Sequence, residues 1–133
     1  MNETLQRFWD EVRVQCPGTE ILLSPEEKLI YSHGCYPREY KWMLQGKYPY
    51  QTSGVLRPEN EEEISGIMKL AQQYKIHVIP YGGGSGIVGG TIPYHGEVVI
   101  DTKRLQHFSI NVKNHRIFNK YHQFFFGPNR EKY

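Results

Sequence analysis

The stretch Pro80-Tyr81-Gly82-Gly83-Gly84-Ser85-Gly86-Ile87-Val88-Gly89-Gly90-Thr91 decides how this 133-residue chain is read. Six of its residues are glycine, and it follows directly on Ile76, Val78 and Ile79, an apolar strand expected to stop at Pro80. Without a Cβ, successive backbone N–H groups can turn toward one point. Such a concavity binds anions, phosphate oxygens above all. A flexible linker would be polar and unanchored. This loop is bracketed instead, because Glu97-Val98-Val99-Ile100-Asp101 reads as the next strand. Phosphate or pyrophosphate binding is the chemistry the stretch points to.

Two familiar phosphate motifs fail on inspection. A P-loop needs a lysine after its last glycine. Gly84 and Gly89 have the spacing, but Gly90 stands where the lysine must be. Gly84-x-Gly86-x-x-Gly89 matches the dinucleotide fingerprint literally, and Asp101 ends a strand at a plausible distance for a ribose-binding acid. That motif works only when the glycines open a helix whose N-terminus faces the pyrophosphate. Gly90, Pro93 and Gly96 follow too closely, and no helical apolar stripe precedes Glu97. The phosphates would have to be held by loop amides alone.

Working outward, Val55-Leu56-Arg57 reads as a short strand ended by Pro58. Asn60 is a good N-cap, with Glu63 as its reciprocal partner in a capping-box-like start. Glu61, Glu62 and Glu63 suit the positive end of the helix dipole. Ile64, Ile67, Met68, Ala71 and Tyr74 supply the apolar stripe. Strand, helix and strand with short links imply a right-handed crossover and parallel pairing. Further upstream, Leu5, Phe8, Trp9 and Val12 lie at helical spacing within residues 2–14, a segment stopped by Pro17 and Gly18. Residues 19–50 read as irregular, aromatic and surface-lying, punctuated by Pro25, Pro37 and Pro49. Downstream, Phe108, Ile110 and Val112 alternate as in a half-buried strand. The tail, with its Phe124-Phe125-Phe126 block and Gly127-Pro128, fits nothing before it and reads as a frayed end.

Composition narrows the function. Charged residues make up 23% and hydrophobic residues 38%, a soluble globular balance. A net charge of +2 gives no concentrated basic face, so nucleic acid is not an expected partner. No apolar run is long enough to span a bilayer. The N-terminus lacks an apolar leader, and Cys16 and Cys35 form no disulfide framework, so a reducing, cytoplasmic setting is expected.

Arg57-Pro58, the capped helix, Val78-Ile79-Pro80-Tyr81-Gly82-Gly83-Gly84-Ser85, Gly89-Gly90 and Val99-Ile100-Asp101 occur in an informative order. Together they resemble the FAD-binding (PCMH-type) domain of the vanillyl-alcohol oxidase and p-cresol methylhydroxylase family. Within it, the glycolate oxidase, D-lactate dehydrogenase and alkyldihydroxyacetonephosphate synthase branch is most similar. Tyr31-Ser32-His33 and the Trp42 region look like that branch's lead-in, and the resemblance covers roughly residues 27 to 112.

The resemblance implies an α+β fold, a small, partly parallel sheet with a packed helix. Residues 1–50 would be an N-terminal helix and irregular lead-in. Residues 51–133 would be the N-terminal part of the FAD-binding domain, with a divergent tail from about 113. It implies FAD as cofactor, held through its pyrophosphate by Gly82, Gly83, Gly84, Ser85 and Gly86. Gly89 and Gly90 would let the return segment pass close, and Pro80 would fix the strand exit. The expected activity is that of a flavin-dependent oxidoreductase acting on a small 2-hydroxy acid or a related CH–OH substrate. Family members carry catalytic groups and a substrate cap beyond the matched region. The alternative is therefore a catalytically inactive FAD- or phosphate-binding fragment, self-associating through exposed apolar surface. No catalytic residue is assigned, and flavin attachment is expected to be non-covalent. The scattered histidines make no metal site, nor does His33 with Cys35 two residues on. Ser85 lacks triad context. Asp101 reads as a strand-end turn residue rather than a ribose ligand.

Overall fold

The computed structural model describes residues 3–105 with their side chains, and the backbone of residues 108–111 and 116–119. Its elements are α1 (Glu3–Gln15), β1 (Glu20–Leu22), α2 (Pro25–Ile30), α3 (Pro37–Leu44), β2 (Gly54–Arg57), α4 (Glu61–Tyr74), β3 (Val78–Tyr81), β4 (Val98–Asp101), β5 (Phe108–Asn111) and β6 (Arg116–Asn119). The fold is α+β, as expected. One sheet has the order β1-β2-β4-β3, and β5 pairs with β6 as an antiparallel ribbon. Strands β2, β4 and β3 run parallel, while β1 is antiparallel to β2.

The crossover through α4 therefore joins parallel strands, but not neighbours: β4 enters between them. Every residue of β4 is buried. An uninterrupted Val98-Val99-Ile100 run suits the sheet's interior, where both faces are covered. The pleat then sorts the strands into two faces. Leu56, Val98 and Ile100 point toward α1 and α4 and join Phe8, Trp9, Val12, Cys16, Ile67, Leu70 and Ala71 in the main core. Val55 and Val99 point the other way and pack with Tyr31, Leu22 and Tyr81. This second face carries the loops.

Several expectations need correction. Pro80 does not end β3; it sits within the strand, opposite Ile100. The sheet order makes β3 an edge, where a missing N–H leaves no ladder bond unmade. Ile76 lies outside the strand. On α4 the Asn60 side chain accepts from Glu63 N at 2.9 Å, as a cap should. The reciprocal bond is displaced: the Glu63 carboxylate accepts from Glu59 N at 2.8 Å, one residue before the cap. That bond lets Glu63 be buried, and the core face of α4 runs through Glu63, Ile67, Leu70 and Ala71. Met68, expected in the stripe, is exposed, and Ile64 is only half-buried.

Residues 19–50 are not irregular throughout, since β1, α2 and α3 lie there. Each helix has proline in its first turn. Ser24 and Glu27 close a capping box on α2, with bonds of 3.2 and 3.0 Å. The tail is structured in part: β6 pairs with β5 in the register Ser109↔Phe118 and Ile110↔Ile117. Val112, the Phe124-Phe125-Phe126 block and Gly127-Pro128 lie outside the described residues. Among the described residues no helix is long and apolar enough to cross a membrane.

Trp9 approaches the sheet closely at Gly54. A Cβ there would lie 2.6 Å from Leu23 Cδ2 and 2.8 Å from Trp9 Cζ2. Gly54→Ala is expected to lower stability by about 1–3 kcal/mol through overpacking. Gly90→Ala, where an added Cβ meets nothing within 4 Å, is expected to leave it nearly unchanged. Urea unfolding midpoints of the two variants check this.

Candidate functional site

Tyr81 and Asp101 lie side by side at the ends of β3 and β4. In parallel sheets ligands bind beyond these carboxyl ends. The glycine loop leaves β3 here, and it divides its backbone groups by direction. Three of its carbonyls are held by the protein. Gly82 O accepts from Lys103 Nζ at 3.4 Å. Gly86 O accepts from Cys35 N and Gly89 O from Ile92 N, each at 3.3 Å. Its amides are not held: among the described residues the N–H groups of Gly83, Gly84, Ser85 and Gly86 have no hydrogen-bond acceptor. Backbone donors left unmade by the protein are what an anion satisfies.

Glycine is required here for two different reasons. Gly84 and Gly89 have φ of +70° and +78°. At Gly84 a Cβ would also collide with the Tyr81 hydroxyl; at Gly89 it would press on Ile92 Cδ1 and Tyr36 Cδ1, at 3.2 and 3.3 Å. At Gly83, Gly86 and Gly90 an added Cβ meets nothing within 4 Å. There the absent side chain leaves open the space an approaching ligand would need. The donor set and this clearance fit a diphosphate. Ser85 is exposed beside the amides, and Ile87 and Val88 at the loop's tip are 67% and 83% exposed. No helix follows the loop before β4, which rules out the dinucleotide fingerprint on geometry as well as on sequence.

The structure thus brings Gly82, Gly83, Gly84, Ser85 and Gly86 together with Gly89 and Gly90 in one loop. Pro80 stands apart from them, exposed on the edge strand. Against the loop lies Ser32-His33-Gly34-Cys35, whose Gly34 would place a Cβ 2.9 Å from Thr91 Oγ1. The buried Glu39 carboxylate fixes this lead-in, accepting from Gly34 N at 3.0 Å and Tyr36 N at 3.2 Å. Sequence reasoning passed over Glu39. The signal was available, because Tyr36-Pro37-x-Glu39 is a helix start with an acid at its third position.

A second omission lies beneath the loop. Asp101 is completely buried. Its Oδ2 accepts from the Tyr31 hydroxyl at 2.6 Å and sits 3.1 Å from Lys103 Nζ. Its Oδ1 accepts from Lys103 N at 2.9 Å, the turn role expected of it. Arg57 Nε lies 3.3 Å from Oδ2, a charge contact without hydrogen-bond geometry. The Lys103 ammonium also rests 4.8 Å from the Tyr31 and Tyr81 ring centres. Those two rings meet edge to face at 5.1 Å. Burial, followed by the hydrogen bond to Asp101 and its charge, pushes the Tyr31 phenol up to about 12; Arg57 pulls the other way. Burial first, then Asp101, raises Tyr81 as well. Cys16 and Cys35 are free thiols, and no group of His, Cys, Asp and Glu suited to a metal ion occurs among the described residues.

Comparison with known proteins agrees with this geometry. Residues 52–118, half of the chain, match the family described as FAD binding domain. The D-lactate dehydrogenase of Archaeoglobus fulgidus is 35% identical over 60 residues, covering 45% of this chain and 14% of its own. The alkyldihydroxyacetonephosphate synthase of Trypanosoma brucei brucei is 30% identical over 105 residues, covering 75% of this chain and 17% of its own. A solved alkyldihydroxyacetonephosphate synthase superposes with a TM-score of 0.71 at 23% identity, over 81% of this chain and 21% of that one. The likeness in structure establishes the fold. The chain spans under a fifth of the length of these two curated relatives.

The Tyr31 shift has a consequence for stability. A tyrosine in the unfolded chain titrates near pH 10. The folded chain holds this proton more tightly, so the associated stability is present below about pH 10 and lost as pH rises toward about 12. Tyr31→Phe is expected to be less stable than the parent at pH 8, with the gap narrowing by pH 11.5. Urea midpoints for both proteins at the two pH values check the sign.

Proposed function

The chain belongs to the FAD binding domain family, and we propose that its loop 82–90 holds the FAD pyrophosphate through backbone amides. One observation carries the reading: three of the loop's carbonyls accept from protein donors, while the amides of Gly83, Gly84, Ser85 and Gly86 have no protein acceptor among the described residues and are left for a ligand. The Ser85 hydroxyl adds a donor beside them. The open side of Gly83, Gly86 and Gly90 admits the phosphates at backbone distance.

The whole protein would be a flavin-dependent oxidoreductase acting on a small 2-hydroxy acid or a related CH–OH compound. D-lactate dehydrogenase among the relatives supports that substrate class. When bound, the flavin supplies the hydride acceptor. The described residues contribute the grip on the cofactor, and none of them is assigned a part in bond breaking. The exposed aliphatic side chains of Ile87, Val88 and Leu44 would be covered by cofactor or by further protein, and self-association is expected where they are bare. Two free thiols and no membrane-crossing helix among the described residues suit a reducing, cytoplasmic setting.

Gly83→Val tests the cradle without disturbing the fold, since an added Cβ there meets nothing within 4 Å. Flavin fluorescence titration of the parent chain should give saturable FAD binding, displaced by inorganic pyrophosphate. The variant should keep its thermal midpoint and bind FAD at least about tenfold more weakly, a loss of about 1.4 kcal/mol. Equal affinity in a folded variant would refute the cradle.

A further inference from the structure

Four groups beneath the loop form one connected unit: Asp101, Tyr31, Lys103 and Tyr81. Only two of them touch the loop directly. Tyr81 occupies the space under Gly84, and Lys103 reaches the Gly82 carbonyl. The fully buried Asp101 anchors two of the others from below: it accepts from Tyr31, pairs with the Lys103 ammonium and caps Lys103 N. The Lys103 ammonium is where these contacts meet. It lies against the acid, the two rings and the loop carbonyl at once. A carbonyl drawn inward at Gly82 sets the orientation of the peptide that follows. The N–H of that peptide belongs to Gly83, the first of the free donors.

We infer that Lys103 is the positioning residue of the phosphate cradle: its ammonium ties the Gly82 carbonyl to the buried Asp101 carboxylate and so keeps the Gly83 and Gly84 amides facing the ligand. The inference rests on the phosphate reading of the loop. It differs from a direct role for Lys103 in neutralising phosphate charge. In the positioning role the lysine acts on the loop before any ligand arrives, so its removal is visible in the ligand-free chain. Arginine also reaches a carboxylate and a carbonyl with charged donors. It should therefore substitute in part, whereas methionine, of similar length and without donors, should not.

The test is the nitrogen-15 amide spectrum of the ligand-free chain, compared for parent, Lys103→Met and Lys103→Arg. Lys103→Met is expected to shift the Gly83 and Gly84 amide resonances, because loss of the charged donor releases the Gly82 carbonyl and with it the peptide that carries the Gly83 N–H. Resonances of α4 should stay in place, and Lys103→Arg should return those of Gly83 and Gly84 most of the way to their parent positions. Unmoved Gly83 and Gly84 resonances in a folded Lys103→Met would overturn the inference, as would equal shifts throughout α4, which mark a general change of the fold. FAD titration of the same proteins separates this from the parent reading. If the parent does not bind FAD, the cradle fails. If the parent binds and Lys103→Met binds as tightly, only the positioning role fails.

Discussion

The constraint on which the site depends is the need of every backbone polar group near the sheet for a partner. At the ends of β3 and β4 the loop meets it unevenly. Lys103, Cys35 and Ile92 satisfy carbonyls of Gly82, Gly86 and Gly89. The amides between them are left over. A run of unpartnered donors on one short loop is a poor arrangement for stability alone and a good one for an anion. Net hydrogen bonds contribute about 1 kcal/mol each, yet an unmade buried one costs more. The loop's surface position lets water serve these donors until a ligand replaces it.

What holds the loop in this state is the sheet's second face. A lone buried carboxylate would be costly, but Asp101 has a phenol, an ammonium, a backbone N–H and a nearby guanidinium around it. Removing one partner from such a group is expected to cost far more than the pair gains. Burial first, and then the same acid, raises the Tyr31 and Tyr81 phenols above the ordinary tyrosine value. The main core on the opposite face, built by α1 and α4, leaves this face free for polar work. Glu39 plays a comparable part for the lead-in, holding two amides of the segment that crosses the loop.

Much of this was legible in the residues. The order of strand, capped helix, strand and glycine loop announced the fold class, and it carries the proposed phosphate reading, because each rests on local rules. Asn60 caps, Pro93 and Gly96 forbid a helix, and clustered glycines expose amides. Errors arose where tertiary placement decides. Pro80 reads as a terminator unless its strand is known to lie at the edge. Met68 fits a helical stripe as well as Leu70 does until the position of α1 chooses between them. Asp101 is correctly read as a turn residue, but its partner Tyr31 lies seventy positions away, and no spacing rule connects them. The capping box at Ser24 and the acid three residues after Tyr36 were local and readable, yet dense prolines and aromatics suggested an irregular, surface-lying stretch instead.

In the proposed cradle the backbone amides of loop 82–90 are the main ligand-binding groups, with the Ser85 hydroxyl beside them. The most direct measurement is a nitrogen-15 amide spectrum of the chain titrated with FAD. Resonances of Gly83, Gly84, Ser85 and Gly86 are expected to move downfield together to saturation as their N–H groups gain phosphate acceptors, while those of α4 stay in place. Saturable FAD binding that leaves these glycine-loop amides unmoved would contradict the account.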